Sequence, residues 1–179
     1  MGLDFNPGND SFTKDTNGKI YIDKTGLLKH LNSCLKTPEC CISLSHARRF
    51  GKSQAAGMIT AYYSLGCDSK ALFSDFEIAS SPDFEVHLNK YNVIRVDVSS
   101  IADFSGENIV NEIITRIVRD FKKAYGNRLD YDKSINELIY DIYELSGKAF
   151  VIILDEWDCI IRNYSDKEQI VHGYLQFLH

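Results

Sequence analysis

Residues 149–154, AFVIIL, are apolar throughout and run straight into Asp155-Glu156-Trp157-Asp158. A strand with no polar face has to be covered on both sides, which is the condition of a central strand in a parallel sheet. A chain holding such a strand needs helices above and below it, so its fold class is α/β. Open sheets of this kind place their ligands beyond the C-terminal ends of their strands. Asp155 and Glu156 stand at such an end. This suits a Walker B strand, with Asp155 in a Mg²⁺ shell and Glu156 orienting and polarising the attacking water. The competing reading is a buried strand that ends in a solvated acidic turn.

A second feature lies far upstream. His46 to Ser53 reads HARRFGKS, after a short apolar run at 41–44 and before a helical stretch at 54–65. Strand, loop and a Gly-Lys-Ser that opens a helix form the setting of a phosphate-binding loop. Backbone N–H groups at a helix start point at a phosphate, and the helix dipole favours its charge. Lys52 would reach the β- and γ-phosphates, and the Ser53 hydroxyl would join Mg²⁺. Arg48, Arg49, Phe50, Gly51 and Gln54 complete the expected nucleotide-binding set. The usual pattern, G-x-x-x-x-G-K-[ST], opens on glycine, whereas His46 stands there. Gly-Lys-Ser by itself is compatible with a plain helix start. In order with the acidic strand, and with a further strand between, it favours a nucleotide site. Arg48 and Arg49 are permanently charged, fork-shaped donors. They either add phosphate contacts or face a partner, such as the neighbouring protomer of a homo-oligomer.

At 179 residues and 44% hydrophobic, the chain can build one domain with a sizeable core. A net charge of −5 argues against a dedicated nucleic-acid binder. No apolar run approaches a membrane span, and MGLDFNPGND lacks a signal pattern, so a cytoplasmic protein with no membrane partner is expected. The five cysteines show no C-x-x-C spacing, and their odd number argues against a disulfide framework. His30 and Cys34 could share a helix face, but no further metal ligand is spaced with them.

Residues 1–19 are polar and turn-rich, and 19–22 read as a strand or extended arm. Leu27, Leu28, Leu31 and Leu35 give a helical stripe over 24–35. Residues 93–98 form a second core strand, whose Asp97 stays unassigned. Ile109, Ile113, Ile117 and Phe121 mark a long helix that starts at 105–108 and closes at Gly126. Ser134 and Glu137 make a capping box for a helix over 134–145, and a last helix covers 165–178. Strands separated by helices predict right-handed crossovers and a parallel, three-layer sheet.

Taken together, YIDKT at 21–25, RRFGKS at 48–53, Ala61-Tyr62-Tyr63 and LDEWD at 154–158 resemble one bacterial family. It is the AAA-ATPase-like domain commonly joined to a C-terminal PD-(D/E)XK nuclease-like domain. In that family the loop usually reads Arg-Pro-Arg-Arg-Phe-Gly-Lys-Ser, so the missing first glycine is a family trait. His46-Ala47 replaces Arg-Pro here, and Trp157 replaces Tyr. The resemblance implies a P-loop NTPase-like fold with a mostly parallel sheet. Residues 1–39 would be an arm and helix packing on a core at 40–179, with no second domain. AAA-like ATPases add a γ-phosphate-sensing strand that follows the acidic one in sequence. The expectation is therefore a fragment whose sheet is incomplete at the C-terminus. The implied function is Mg²⁺-dependent ATP binding and hydrolysis, with Lys52 and Glu156 catalytic and with Ser53 and Asp155 at the metal. The alternative is a nucleotide-binding regulatory module without useful turnover. Nucleic acid would be met only through the absent nuclease-like domain. A nuclease metal site made of Asp155, Glu156 and Asp158 lacks the closely spaced lysine of such sites.

Overall fold

The computed structural model describes residues 2–45, 51–105 and 108–178. The chain divides into two compact units, Asn6–Val93 and the combination of Met1–Phe5 with Ile94–His179.

The unit Asn6–Val93 holds helices α1 (Asp10–Thr16), α2 (Gly26–Cys34), α3 (Lys52–Tyr63), α4 (Lys70–Phe73) and α5 (Phe84–His87), with a 3-10 turn at Glu77–Ser80. Helix α3 is its centre. Every residue from Ala56 to Tyr63 is buried, so this helix has no solvent stripe and almost no polar residue beyond its first turn. Helix α1 packs on it. Phe12 of α1 stacks on Phe73 with ring centroids 4.9 Å apart, and Tyr62 meets Phe73 edge-on at 5.5 Å.

Polar atoms inside this aromatic cluster are matched. Asn32 donates to the Tyr62 hydroxyl (3.2 Å) and accepts from the Tyr63 hydroxyl (2.7 Å), while Tyr62 donates to the Phe84 carbonyl (2.9 Å). Burial pushes the Tyr62 phenol up to about 12 and raises Tyr63 as well, so both remain protonated donors. The last carbonyls of a helix need partners from elsewhere. Asn89, in the left-handed region at φ 54°, provides them. Its amide nitrogen donates to the Ala61 (3.0 Å) and Ser64 (2.9 Å) carbonyls, and its oxygen accepts from Ser69 N (2.9 Å).

Strand β1 (Asn92–Asp97) enters the other unit, followed by α6 (Val98–Ser105), α7 (Ile109–Tyr125), α8 (Ile135–Ser146), β2 (Phe150–Asp155), α9 (Cys159–Asn163) and α10 (Glu168–Leu178). Among the described residues, β1 and β2 make a two-stranded parallel sheet. The start of the chain adds an antiparallel bridge, with Phe5 opposite Ile94 and Arg95 N donating to the Asp4 carbonyl at 2.8 Å. The core is mostly aliphatic, with Ile94, Val96, Ile113, Ile117, Leu138 and Ile142 all buried, and it also holds the buried rings of Phe5, Phe121 and Tyr174. Helix α8 begins at the expected capping box, with Ser134 N donating to Glu137 at 2.9 Å, and ends at left-handed Gly147. The buried Asp120 carboxylate accepts from Asp4 N (2.7 Å) and Phe5 N (3.3 Å) and meets Lys123 (3.3 Å). Burial opposes its charge, but these donors outweigh burial and hold its carboxyl below the ordinary range.

Several expectations are corrected. Residues 41–44 form no strand, and Ile42 and Leu44 are exposed. So short a run needs a neighbour for its N–H and C=O groups, and no strand pairs with it among the described residues. Of the two forms expected for residues 19–22, strand or extended arm, the strand is absent, and Ile20 is 87% exposed. The turn-rich start instead contains α1, stabilised by burial of Phe12 rather than by any periodicity. Strand β2 is only half-buried, with Ile152 54% exposed, because a two-stranded sheet leaves part of it uncovered. The expected start of α7 at 105–108 falls partly outside the described residues, and the helix runs from Ile109.

Candidate functional site

The two halves of the expected site lie one in each unit. Gly51 caps α3 at φ 79°, ψ 33°, the left-handed region where a Cβ is penalised, and its carbonyl accepts from Ala55 N at 2.9 Å. Lys52 is half-buried, whereas Ser53 and Gln54 are exposed. Helix α3 therefore presents its first turn to solvent and hides the rest. A Cβ on Gly51 would lie 2.8 Å from Lys24 Nζ and 2.9 Å from Gln54 Oε1, both ends of flexible side chains that can shift, so it is the backbone angle that asks for glycine. Arg48, Arg49 and Phe50 lie outside the described residues.

At the other half, β2 ends in Asp155, which is 8% exposed and accepts from Glu156 N at 3.1 Å. Glu156 adopts φ 51°. A non-glycine residue there carries strain of order 1–3 kcal/mol, and such strain gathers at functional sites. Arg162 of α9 donates to the Glu156 carboxylate at 3.1 Å and meets Asp158 at 3.2 Å. Sequence reasoning passed over Arg162; its four-residue spacing from Asp158 was the available signal. Behind this turn, Cys159 is buried, and desolvation pushes its thiol up to about 11. Asp97, at the matching end of β1, accepts from the Ser99 hydroxyl (2.7 Å) and Ser100 N (3.3 Å). Among the described residues, no three His, Cys, Asp or Glu side chains converge as a metal-binding group. His30 Nε2 and Cys34 Sγ lie 3.9 Å apart.

These features define a mixed α/β protein with a glycine-capped Gly-Lys-Ser helix start and a parallel strand ending in adjacent carboxylates. The chain belongs to the AAA-ATPase-like family, described as predicted AAA-ATPase, whose model matches residues 8–179. Comparisons with curated proteins and with solved structures give no match. Family membership supports a nucleotide-binding, ATPase-like domain. Among the described residues no helix is long and apolar enough to cross a membrane.

Proposed function

We propose that this chain binds ATP with Mg²⁺ at the start of α3 and serves an ATP-hydrolysing protein. The observation that carries this reading is the contrast within α3, whose body is buried while the turn at 51–54 stays accessible. Gly51 lets the loop backbone approach a phosphate, Lys52 neutralises the β- and γ-oxygens, and Arg48, Arg49, Phe50 and Gln54 complete the binding set. The Ser53 hydroxyl and Asp155 carboxylate are hard oxygen donors that would hold a Mg²⁺, and the ion would supply charge neutralisation at the phosphates. Glu156 directs water at the terminal phosphate, and catalysis is positioning and charge stabilisation.

Homo-oligomerisation would bring Arg48 or Arg49 to a neighbouring protomer. A second reading, nucleotide binding without turnover, draws on the ion pair of Glu156 with Arg162, which occupies the carboxylate that hydrolysis needs.

The test is a titration of a fluorescent ATP analogue with Mg²⁺ against the chain and Lys52→Ala. Saturable binding that the variant loses is the expected result, and no binding to either overturns the site. Where turnover is measurable, Glu156→Gln should keep binding while hydrolysis falls about 10²-fold or more. Unchanged turnover would remove Glu156 from that role.

A further inference from the structure

Glu156 is held by contacts of two kinds. Its backbone is fastened on both sides, since its N–H donates to Asp155 Oδ1 at 3.1 Å and its carbonyl accepts from Cys159 N at 3.0 Å. With φ at 51°, it stands in a region that a residue with a Cβ occupies only when its surroundings keep it there. Asp155 and Cys159 are both buried, so these two bonds belong to the folded turn. The side chain is held differently. The Arg162 guanidinium forks across two carboxylates, with Nη2 donating to Glu156 Oε2 at 3.1 Å and Nε lying 3.2 Å from Asp158 Oδ2. The Arg162 and Glu156 side chains are 42% and 30% exposed. An exposed ion pair is weak and is screened by salt, so this contact opens without unfolding the turn.

A carboxylate that directs water has to offer its oxygens to that water. In the closed pair Arg162 occupies one of them and holds the side chain toward α9. We infer that Arg162 is a positioning residue that restrains Glu156, a brake on hydrolysis that is released when an anion competes for the guanidinium. The inference rests on the reading of Glu156 as the residue that directs water, and it makes the ion pair a reversible restraint rather than a permanent block.

The experiment measures turnover at saturating ATP, with Mg²⁺ and at several salt concentrations, for the full chain and its Arg162→Met, Arg162→Lys and Glu156→Gln variants and the Arg162→Met, Glu156→Gln double variant. Binding of a fluorescent ATP analogue and thermal unfolding are followed alongside. Arg162→Met should raise kcat about two- to fivefold with KM unchanged, the factor that opening an exposed ion pair allows. Salt should raise the wild-type kcat and leave that of Arg162→Met flat. Arg162→Lys, which keeps the charge without the fork, should fall between the two. The gain should vanish in the double variant. Equal or slower turnover by Arg162→Met overturns the inference, as does a gain that survives Glu156→Gln. Slower turnover with a lowered melting temperature assigns Arg162 a structural part and also overturns it. No turnover by wild type or Arg162→Met, with the analogue still bound, overturns the inference and leaves the α3 site standing. No binding by the wild type overturns both the inference and the site.

Discussion

The two units fill their interiors with different chemistry. Met1–Phe5 with Ile94–His179 is built mostly on aliphatic residues at helical and strand spacing, among them Ile113, Ile117, Leu138 and Ile142, with Phe5, Phe121 and Tyr174 as its fully packed rings among the described residues. Asn6–Val93 is built on Phe12, Tyr62, Tyr63, Phe73 and Phe84, with Asn32 and Asn89 bonded among them. Aliphatic packing asks for volume and a repeating stripe, whereas aromatic and amide packing asks for particular atoms at particular angles. The first kind should therefore tolerate small changes that the second does not.

The largest expected effect is in the aromatic unit. Phe73→Ala should cost about 3–5 kcal/mol, read from denaturant midpoints, because a stacked ring leaves a cavity. A loss below about 1 kcal/mol would show that the cluster is loosely packed and would break the contrast.

A matched pair of small changes sharpens it. Tyr63→Phe removes one oxygen and leaves Asn32 Oδ1 without its donor, at a cost of about 1–3 kcal/mol. Ile113→Val removes one methyl from the aliphatic core and should cost about 0.5–1.5 kcal/mol. Equal effects would mean that directional bonding is not what distinguishes the units.

Acid should then act on the aliphatic unit through Asp120. A carboxyl with a depressed folded value stabilises the fold above its unfolded value, near 3.9 for Asp, and that contribution is lost as pH falls through the folded value. Wild type should thus lose more urea stability between pH 7 and pH 3 than Asp120→Asn. Parallel losses in the two proteins would show that other carboxylates govern acid unfolding.

The smallest effect concerns a helix end. Ser134→Ala removes the side-chain half of the capping box on α8 and should cost about 1 kcal/mol in chemical denaturation. No change would mean that water replaces the Ser134 oxygen.

The same contrast explains what could be read from the amino acids alone. Helices α7, α8 and α10 and strands β1 and β2 were legible because each turns an apolar stripe or run toward a shared core. The short helices were not: α1 buries one side chain, Phe12, and α9 spans a single turn or so, too little for a period to emerge. Residues 41–44 carried a strand-like composition, but pairing depends on a neighbour that composition does not specify. In the candidate site, Gly51, Lys52, Asp155 and Glu156 could be proposed because their spacing follows the chemistry of phosphates. Arg162 was passed over because folding alone sets its neighbours. Arg48, Arg49 and Phe50 fall outside the described residues.

The order of the chain has a consequence for how it folds. Asp4 and Phe5 pair with Arg95 and Ile94, so one unit is interrupted by the whole of the other. During synthesis the first residues emerge long before β1, and they wait without a partner. Closing so long a loop carries an entropic cost that rises with the logarithm of its length and slows folding. The intervening unit reduces that cost. Asn6 N donates to the Val93 carbonyl, and Val93 N donates to the Asn6 side chain, both at 2.7 Å. Once Asn6–Val93 has folded, its two ends are already side by side, and Phe5 and Ile94 are delivered to each other as the ends of a closed ring.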